Sequence, residues 1–283
     1  MFGYSRQVYY RAVKAEKARQ QRAQKVVQLV QEKRMIMPRL GTRKLYHLLQ
    51  PELNTLGVGR DKLFQILKAN HMLIHPRKTY HITTNSHHRF RKHKNLIVNL
   101  SIVRPEQLWV ADITYVGTRE NPMYLALVTD AYSKKIMGYN VSGSLSVTGA
   151  LSALKQALKN RRYPDKQMIH HSDRGLQYCS NPYQSCLSKA GVVCSMTESY
   201  DPYANAIAER INGILKQEFI EVVQADKLEI MKTLVKESVK VYNTERPHLS
   251  CSMNTPDLMH KQNRITLKSY KKENLSKNVF TEV

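Results

Sequence analysis

The sequence predicts an α/β protein, with a mixed five-stranded sheet flanked by helices and preceded by an all-α helix-turn-helix region. Three observations support this prediction. Up to residue 74, apolar residues recur at helical spacing between clear breaks. After residue 105, short apolar and β-branched runs alternate with amphipathic segments. The order of these elements, β-β-β-α-β-α-β-α, is that of a mixed sheet with helices on its faces.

The N-terminal region reads as three helices. The first covers residues 5–36 and ends before Pro38 and Gly41, and the second is the short segment TRKLYHLLQPEL. The turn NTLGVGR separates it from a third helix, RDKLFQILKANHMLI, on which Arg60 and Lys62 are expected to be exposed. Short helices joined by a glycine-containing turn suit a helix-turn-helix that contacts DNA. A plain three-helix bundle is the alternative.

Composition divides the chain into four segments. Residues 1–75 are the helical, DNA-binding region, and residues 76–104 form a basic linker with few large apolar side chains. Residues 105–260 are predicted to be an α/β core with a C-terminal helix, and residues 261–283 a basic tail.

The elements of the core follow from periodicity and capping signals. The first three strands have short connections, which indicates an antiparallel meander. Ser146 can cap the first helix of the core, and Pro182 and Gly191 mark the two ends of the second. Strands are predicted at 108–116, 123–133, 134–143, 167–173 and 192–197, and helices at 146–161, 181–191 and 204–220.

Three carboxylates of the core are candidates for chemistry. Asp112 lies inside the apolar strand WVADITYV, where an aspartate is disfavoured and costly to bury unpaired. Asp173 ends the fourth strand, and Glu209 lies at the edge of the apolar face of the last helix. Three converging carboxylates repel each other unless a cation lies among them, and their hard oxygens suit Mg²⁺. The alternative for Asp112 is a buried aspartate satisfied by neighbouring donors.

Charge indicates the partner. The net charge is +23, with 22 Lys and Arg against 4 Asp and Glu in residues 1–104, and 23 against 18 in the remainder. This asymmetry favours a polyanionic partner, with nucleic acid as the first candidate and a membrane surface as the second. The alternative is a basic face that contacts only solvent. No apolar run is long enough for a transmembrane helix, and no secretory signal is expected at the N-terminus. Four cysteines without a C-x-x-C pair favour reduced thiols in the cytoplasm over a zinc site.

Four motifs resemble the catalytic subunit of insertion-sequence transposases of the large two-frame bacterial family, whose integrase core also occurs in retroviral integrases. The motifs are WVADITYV, HHSDRGLQY, DPYANAIAERINGILKQEF and YNTERPHLS. Asp173 and Glu209 are separated by 35 residues, as in the D-D-35-E signature of that family. The segment SYDPYANA departs from the sequence that many relatives have before the glutamate, which puts loop contacts in doubt but leaves the three acidic residues unaffected.

The resemblance implies an RNase H-like fold and a DDE transposase that binds two Mg²⁺ or Mn²⁺ ions through Asp112, Asp173 and Glu209. It also implies DNA as substrate, a homo-multimer that holds two element ends, a possible partner protein from the upstream frame, and a place in the bacterial cytoplasm with the nucleoid. A nuclease of the same fold that only hydrolyses, and an inactive DNA-binding relic, are the alternatives.

Further residues near the carboxylates are candidates for DNA contact. Lys216 follows Glu209 by two helical turns, and the family has a basic residue there that is thought to touch DNA. His171 and Arg174 flank Asp173 and either contact the scissile strand or pack and hydrogen-bond around the strand end.

Overall fold

The computed structural model describes residues 5–75, 93–98, 100–118, 120–197, 206–223 and 225–265. Of the helices in these residues, none combines the length and apolarity that crossing a membrane requires. The helices are α1 (Arg6–Ile36), α2 (Thr42–Leu48), α3 (Gln50–Thr55), α4 (Arg60–Ala69), α5 (Val147–Lys159), α6 (Leu176–Cys179), α7 (Asn181–Lys189), α8 (Ala206–Glu218), α9 (Leu228–Thr244) and α10 (Pro256–His260). The strands are β1 (Leu108–Gly117), β2 (Pro122–Asp130), β3 (Ile136–Ser142), β4 (Ile169–Ser172) and β5 (Val193–Met196).

The first four helices pack around a small core of aliphatic side chains. α1 contributes only its C-terminal half to this core, because every residue from Arg6 to Gln21 is exposed. Between α3 and α4 the chain turns at Gly57, whose φ of +62° is a left-handed conformation that glycine adopts without strain. The buried aliphatic residues of the four helices are Val26, Val30, Leu45, Leu53, Leu63 and Leu67.

The five strands form one mixed sheet with the order β3-β2-β1-β4-β5. β1 pairs antiparallel with β2, and β2 pairs antiparallel with β3, as the short connections predict. β4 pairs parallel with β1 and with β5. This RNase H-like sheet with flanking helices confirms the predicted fold class, and it places β1 at the centre, with one antiparallel and one parallel neighbour.

The two faces of the sheet are covered by different helices. In β2, Ala126 and Val128 belong to a cluster with α5, α6 and α7, whereas Leu125 and Leu127 belong to a cluster with α8 and α9. The alternation follows from the two-residue period of a strand. In β1, Trp109 and Ala111 face the first set of helices, and Leu108 and Val110 face α8.

The N-terminal helices dock on the α8 side of the sheet. Their aliphatic core is continuous with the cluster that α8 and α9 form on the sheet. At the end of α8, Glu218 accepts a hydrogen bond from Lys44 Nζ at 3.3 Å, and its backbone carbonyl accepts one from the N–H of Arg39 at 3.4 Å. The helical region is therefore attached to the core by apolar packing and by polar contacts at one helix end.

Gly138 lets β3 approach α5 closely, and we expect Gly138→Ala to lower the free energy of unfolding by about 2–3 kcal/mol. A Cβ at this position would lie 2.6 Å from the backbone nitrogen of Ala157 and closer still to the carbonyl of Ala153. Both are helix backbone, so the helix would have to shift. Urea unfolding followed by circular dichroism measures the change. Gly213→Ala is the control: a Cβ there meets nothing within 4 Å, and alanine should stabilise α8 by up to about 1 kcal/mol.

A buried polar network anchors α10 to the start of the sheet. His260 is 2% exposed, with Nε2 3.2 Å from Glu106 Oε1 and Nδ1 2.9 Å from Ser133 Oγ. Ser133 Oγ donates to Asp130 Oδ1 at 2.6 Å, so it can accept from the ring. Both ring nitrogens then act as donors, which requires a charged imidazole. Burial alone would lower the pKa of His260, but the nearby carboxylates of Asp130 and Glu106 outweigh it and raise the pKa.

We therefore expect the melting temperature to fall more between pH 6 and pH 8 in the wild type than in His260→Gln. A raised pKa in the folded state gives stability that is complete below the unfolded pKa of about 6.5 and is lost as the pH rises through the folded value. Differential scanning calorimetry measures the difference. His47→Gln, at an exposed position of α2, should keep the wild-type pH dependence. An identical pH dependence in His260→Gln would show that the imidazole is neutral.

Candidate active site

Asp112 lies in the middle of the central strand and faces α8. It is half-buried, and its Oδ1 accepts a hydrogen bond from the N–H of Ile113 at 2.9 Å. Its Oδ2 accepts a hydrogen bond from Asn212 Nδ2 on α8 at 2.7 Å. A strand residue with apolar neighbours thus presents its carboxylate to the helix that covers the sheet.

Asp173 comes directly after β4, beside Asp112. The parallel pairing of β1 with β4 matches Ala111 with Ser172, so Asp112 and Asp173 are the next residues along the two strands. Asp173 Oδ1 accepts a hydrogen bond from the N–H of Gly175 at 3.0 Å, which fixes the carboxylate at the start of the following turn. The sequence-based prediction that these two carboxylates meet is consistent with this register.

Glu209 approaches the same place from α8. It is exposed in the first turn of the helix and lies three residues before Asn212, so the two share a helix face. Its carboxylate is close enough to Asp112 to raise the pKa of that group. The three carboxylates therefore come from a strand interior, a strand end and a helix start.

The electrostatics of the site suit a cation. Burial raises the pKa of Asp112 to about 7, and the carboxylates of Asp173 and Glu209 add to this against the hydrogen bond from Asn212. Neighbouring carboxylates resist being charged together unless a positive group compensates them. Asn212 Oδ1 is buried and has no hydrogen-bond partner within the described part of the chain, which leaves a further oxygen acceptor beside Asp112. Hard oxygen donors of this kind fit Mg²⁺ or Mn²⁺.

The carboxylates do not form a closed metal cluster. Within the described ranges, no group of three or more His, Cys, Asp and Glu side chains is placed so that it could hold a metal ion. The site thus has two aspartates at adjacent strand positions and a glutamate on the facing helix. The loop that leads into α8, residues 198–205, lies outside the described residues.

His171 lies in β4, opposite Val110 of β1. It is fully buried in β4, and its Nδ1 lies 2.9 Å from Ser195 Oγ on β5. Burial lowers the pKa of His171 to about 4, so the ring is neutral at physiological pH. The structure shows packing and hydrogen bonding within the sheet for His171, which is the alternative to the predicted DNA contact. A four-residue parallel strand between two others is buried on both faces, which its sequence alone does not reveal.

The other predicted DNA-contacting residues lie in three places. Arg174 is half-buried directly after Asp173. Lys216 is half-buried at the far end of α8, where it lines a cavity of about 340 Å³ with Tyr115 and Glu221, and burial lowers its pKa. On α4 of the helical region, Arg60 is exposed and pairs with Asp61 at 2.9 Å, and Lys62 is half-buried. Of these four residues, Arg174 is the one that directly follows an active-site carboxylate in the sequence. Lys216, Arg60 and Lys62 lie on other parts of the structure.

Asn212 is a site residue that the sequence prediction missed. It is 3% exposed and is hydrogen-bonded to Asp112. A signal was present, because an asparagine interrupts the apolar face of the helix that Ile211, Ile214 and Leu215 form. A polar residue one turn after Glu209 on that face must find a buried partner, and Asp112 is that partner.

Comparisons with known proteins place the chain among mobile-element proteins. Two models described as integrase core domain match residues 103–202 and 190–256. An uncharacterized 31 kDa protein of insertion element IS600 from Shigella sonnei is 33% identical over 254 residues, which are 88% of this chain and 92% of that protein. The transposase of insertion sequence element IS629, also from Shigella sonnei, is 45% identical over 117 residues, or 41% of this chain and 39% of that protein. A chain of the simian T-cell lymphotropic virus intasome is 18% identical at a TM-score of 0.49, covering 82% of this chain and 78% of that one.

Proposed function

The chain belongs to the family of insertion-sequence transposases with an integrase core domain, and from this premise we propose how its carboxylates act. It is a DDE transposase, an enzyme that moves DNA by cleaving and joining strands through phosphoryl transfer. One observation supports the choice of catalytic residues. Asp112 and Asp173 lie side by side at adjacent strand positions, and Glu209 lies on the facing helix. We propose that these three residues are the catalytic set.

The reaction proceeds in two displacements at phosphorus. In the first, the oxygen of water bonds to the phosphorus at the end of the element, and the bond to the 3′ oxygen breaks, giving a 3′-hydroxyl and a 5′-phosphate. In the second, that 3′-hydroxyl bonds to a phosphorus of another strand and displaces its 3′ oxygen. The protein supplies positioning and charge compensation and needs no covalent nucleophile of its own.

The residues divide this work. Asp112 and Asp173, on neighbouring strands, offer carboxylate oxygens in fixed positions, and Asn212 holds Asp112 through one oxygen. Glu209 offers its carboxylate from the first turn of α8. Two Mg²⁺ or Mn²⁺ ions, when bound here, would activate the attacking oxygen and stabilise the charge on the leaving one. We propose that Asn212 is a positioning residue, because its amide donates a hydrogen bond to Asp112.

DNA is the partner that the charge distribution favours. The segment before residue 105 carries most of the net charge of +23, and phosphate contacts of this kind supply sequence-independent affinity. We propose that Arg174 and Lys216 contact DNA near the cut and that Arg60 and Lys62 contact it from the helical region. A homo-multimer that holds two element ends, and a partner from the upstream frame, complete the proposal.

A strand-transfer assay tests the function. The substrate is a labelled duplex with the terminal sequence of the element that encodes this chain, incubated with supercoiled target DNA and either Mg²⁺ or EDTA. Joined products that require Mg²⁺ are the expected result. Cleavage without joining would favour the hydrolytic nuclease. Binding without any chemistry, also after addition of the upstream-frame protein, would favour the inactive relic.

A further inference from the structure

A basic cleft lies between the helical region and the C-terminal end of the core. Its volume is about 470 Å³, and it opens between α2 and α4 on one side and α8 and residues 246–253 on the other. Among the described residues that line it, none is acidic. The residues that matter here are Arg43, Lys44, Phe64, Arg210, His248 and Leu249.

Positive charge is in excess at this cleft. The nearby carboxylate, Glu218, is already held by two hydrogen bonds from Arg246, at 2.6 and 2.7 Å, and by one from Lys44 at 3.3 Å. Burial lowers the pKa of Lys44, and the charges of Arg246 and Arg210 lower it further, against the effect of Glu218. Burial and the same group of cations lower the pKa of His248 to about 3. The single negative charge of Glu218 therefore does not balance the positive charges of Arg246, Lys44 and Arg210. A bound anion would balance them.

The cleft adjoins the carboxylates through α8. Arg210 is exposed and follows Glu209 directly, and successive helix residues point about 100° apart. The same helix turn therefore offers Glu209 to the strand ends and Arg210 to the cleft. Arg43, on α2, is exposed at the opposite wall.

The cleft also has an apolar wall. Phe64 is half-buried in the cleft and does not belong to the buried hydrophobic cluster that the described helices form. Leu249, on the facing segment, is 54% exposed. An aromatic ring beside exposed cations is the combination that holds a nucleotide of a single strand, with the base on the ring and the phosphate on the cations.

We propose that this cleft binds a DNA strand next to the cleavage site, with backbone phosphates on Arg43, Lys44 and Arg210 and one unstacked base against Phe64. The proposal rests on the proposed function, because it takes DNA as the substrate. It gives the helical region a second role. Besides its own DNA surface, the region supplies one wall of a strand-binding cleft beside the active site.

The test is the salt dependence of DNA binding by the full chain in EDTA. The probe is a fluorescein-labelled duplex with a three-nucleotide single-stranded overhang. Its binding is measured by fluorescence anisotropy at NaCl concentrations between 50 and 300 mM. Arg43→Ala/Arg210→Ala should raise Kd about tenfold or more at 100 mM salt. It should also make the slope of log K against log salt shallower by about 1–2, because two phosphate contacts are lost. Both residues are exposed, so their truncation leaves the fold intact.

The matched control is Lys236→Ala/Lys240→Ala, which removes two exposed charges from α9 away from the cleft lining. It should keep the wild-type slope. Phe64→Ala should weaken binding of the overhang duplex about tenfold and binding of the blunt duplex much less. Equal slopes for the two double variants, or an equal effect of Phe64→Ala on both duplexes, would overturn the proposal. A shallower slope in Arg43→Ala/Arg210→Ala, together with a wild type that joins no strands, would instead support the cleft and refute the transposase mechanism.

Discussion

Asp112→Asn should reduce strand transfer at least about a thousandfold and leave the affinity for DNA within about twofold of the wild type. The reaction depends on compensating charge at the attacking and leaving oxygens, which is worth several kcal/mol, and each 1.36 kcal/mol corresponds to a factor of ten in rate. An amide has the shape of the carboxylate but not its charge. DNA affinity should persist because the basic surfaces lie elsewhere on the chain.

The geometry explains why this single change is so costly. Asp112 is held in place by both a strand and α8, through the N–H of Ile113 and the amide of Asn212. Asparagine can keep the hydrogen bond from Asn212 through its own oxygen, so the fold should survive. What disappears is the charge between β1, β4 and α8.

A second readout separates metal binding from activity. In the wild type, 5 mM Mn²⁺ should raise the melting temperature, since an ion that binds only the folded state stabilises it. In Asp112→Asn this shift should vanish. The melting temperature without metal should be higher than that of the wild type, because the cost of burying the charge and the repulsion with Asp173 are both removed. Asp165→Asn, at an exposed loop position, should behave as the wild type in both assays. A wild-type rate of joining in Asp112→Asn would refute the assignment of the carboxylates.

The strand and helix order of the core was predictable because local signals agree with the tertiary fold. β1 and β2 pair antiparallel, as their short connection predicted, and α7 begins at Asn181 with Pro182 in its first turn. The meeting of Asp112 with Asp173 followed from placing β4 beside β1. These inferences need only strand order and the two-residue period of a strand.

Other features depend on contacts between distant residues and could not be predicted. Glu106 and His260 are 154 positions apart, and their contact exists only because α10 returns to the start of β1. The burial of His171 follows from the position of β4 between two parallel neighbours. The docking of the helical region on α8 likewise arises from surface complementarity, which the basic composition of that region conceals.

Arg246→Ala should lower the free energy of unfolding by about 3–5 kcal/mol, the typical cost of removing one partner of a buried ion pair. Arg246 is 1% exposed and donates two hydrogen bonds to Glu218, in a fork that matches the carboxylate. Its guanidinium also lies 5.6 Å from the ring centre of Tyr242. It is therefore a structural residue that joins α8 to the end of α9. The change leaves the half-buried carboxylate of Glu218 with the longer contact to Lys44.

A double-mutant cycle distinguishes the ion pair from simple loss of packing. If the penalty arises from an uncompensated charge, Arg246→Met/Glu218→Leu should be less destabilised than the sum of the two single variants by about 2–3 kcal/mol. Chemical denaturation in urea gives the four free energies. The exposed pair on α9 is the control: Lys232→Ala removes a 2.8 Å contact to Glu229 and should change stability by less than about 0.5 kcal/mol. Additive single effects at positions 218 and 246 would show that Arg246 stabilises the junction through packing alone. The attachment of the helical region at Lys44 would then not depend on the charge of Glu218.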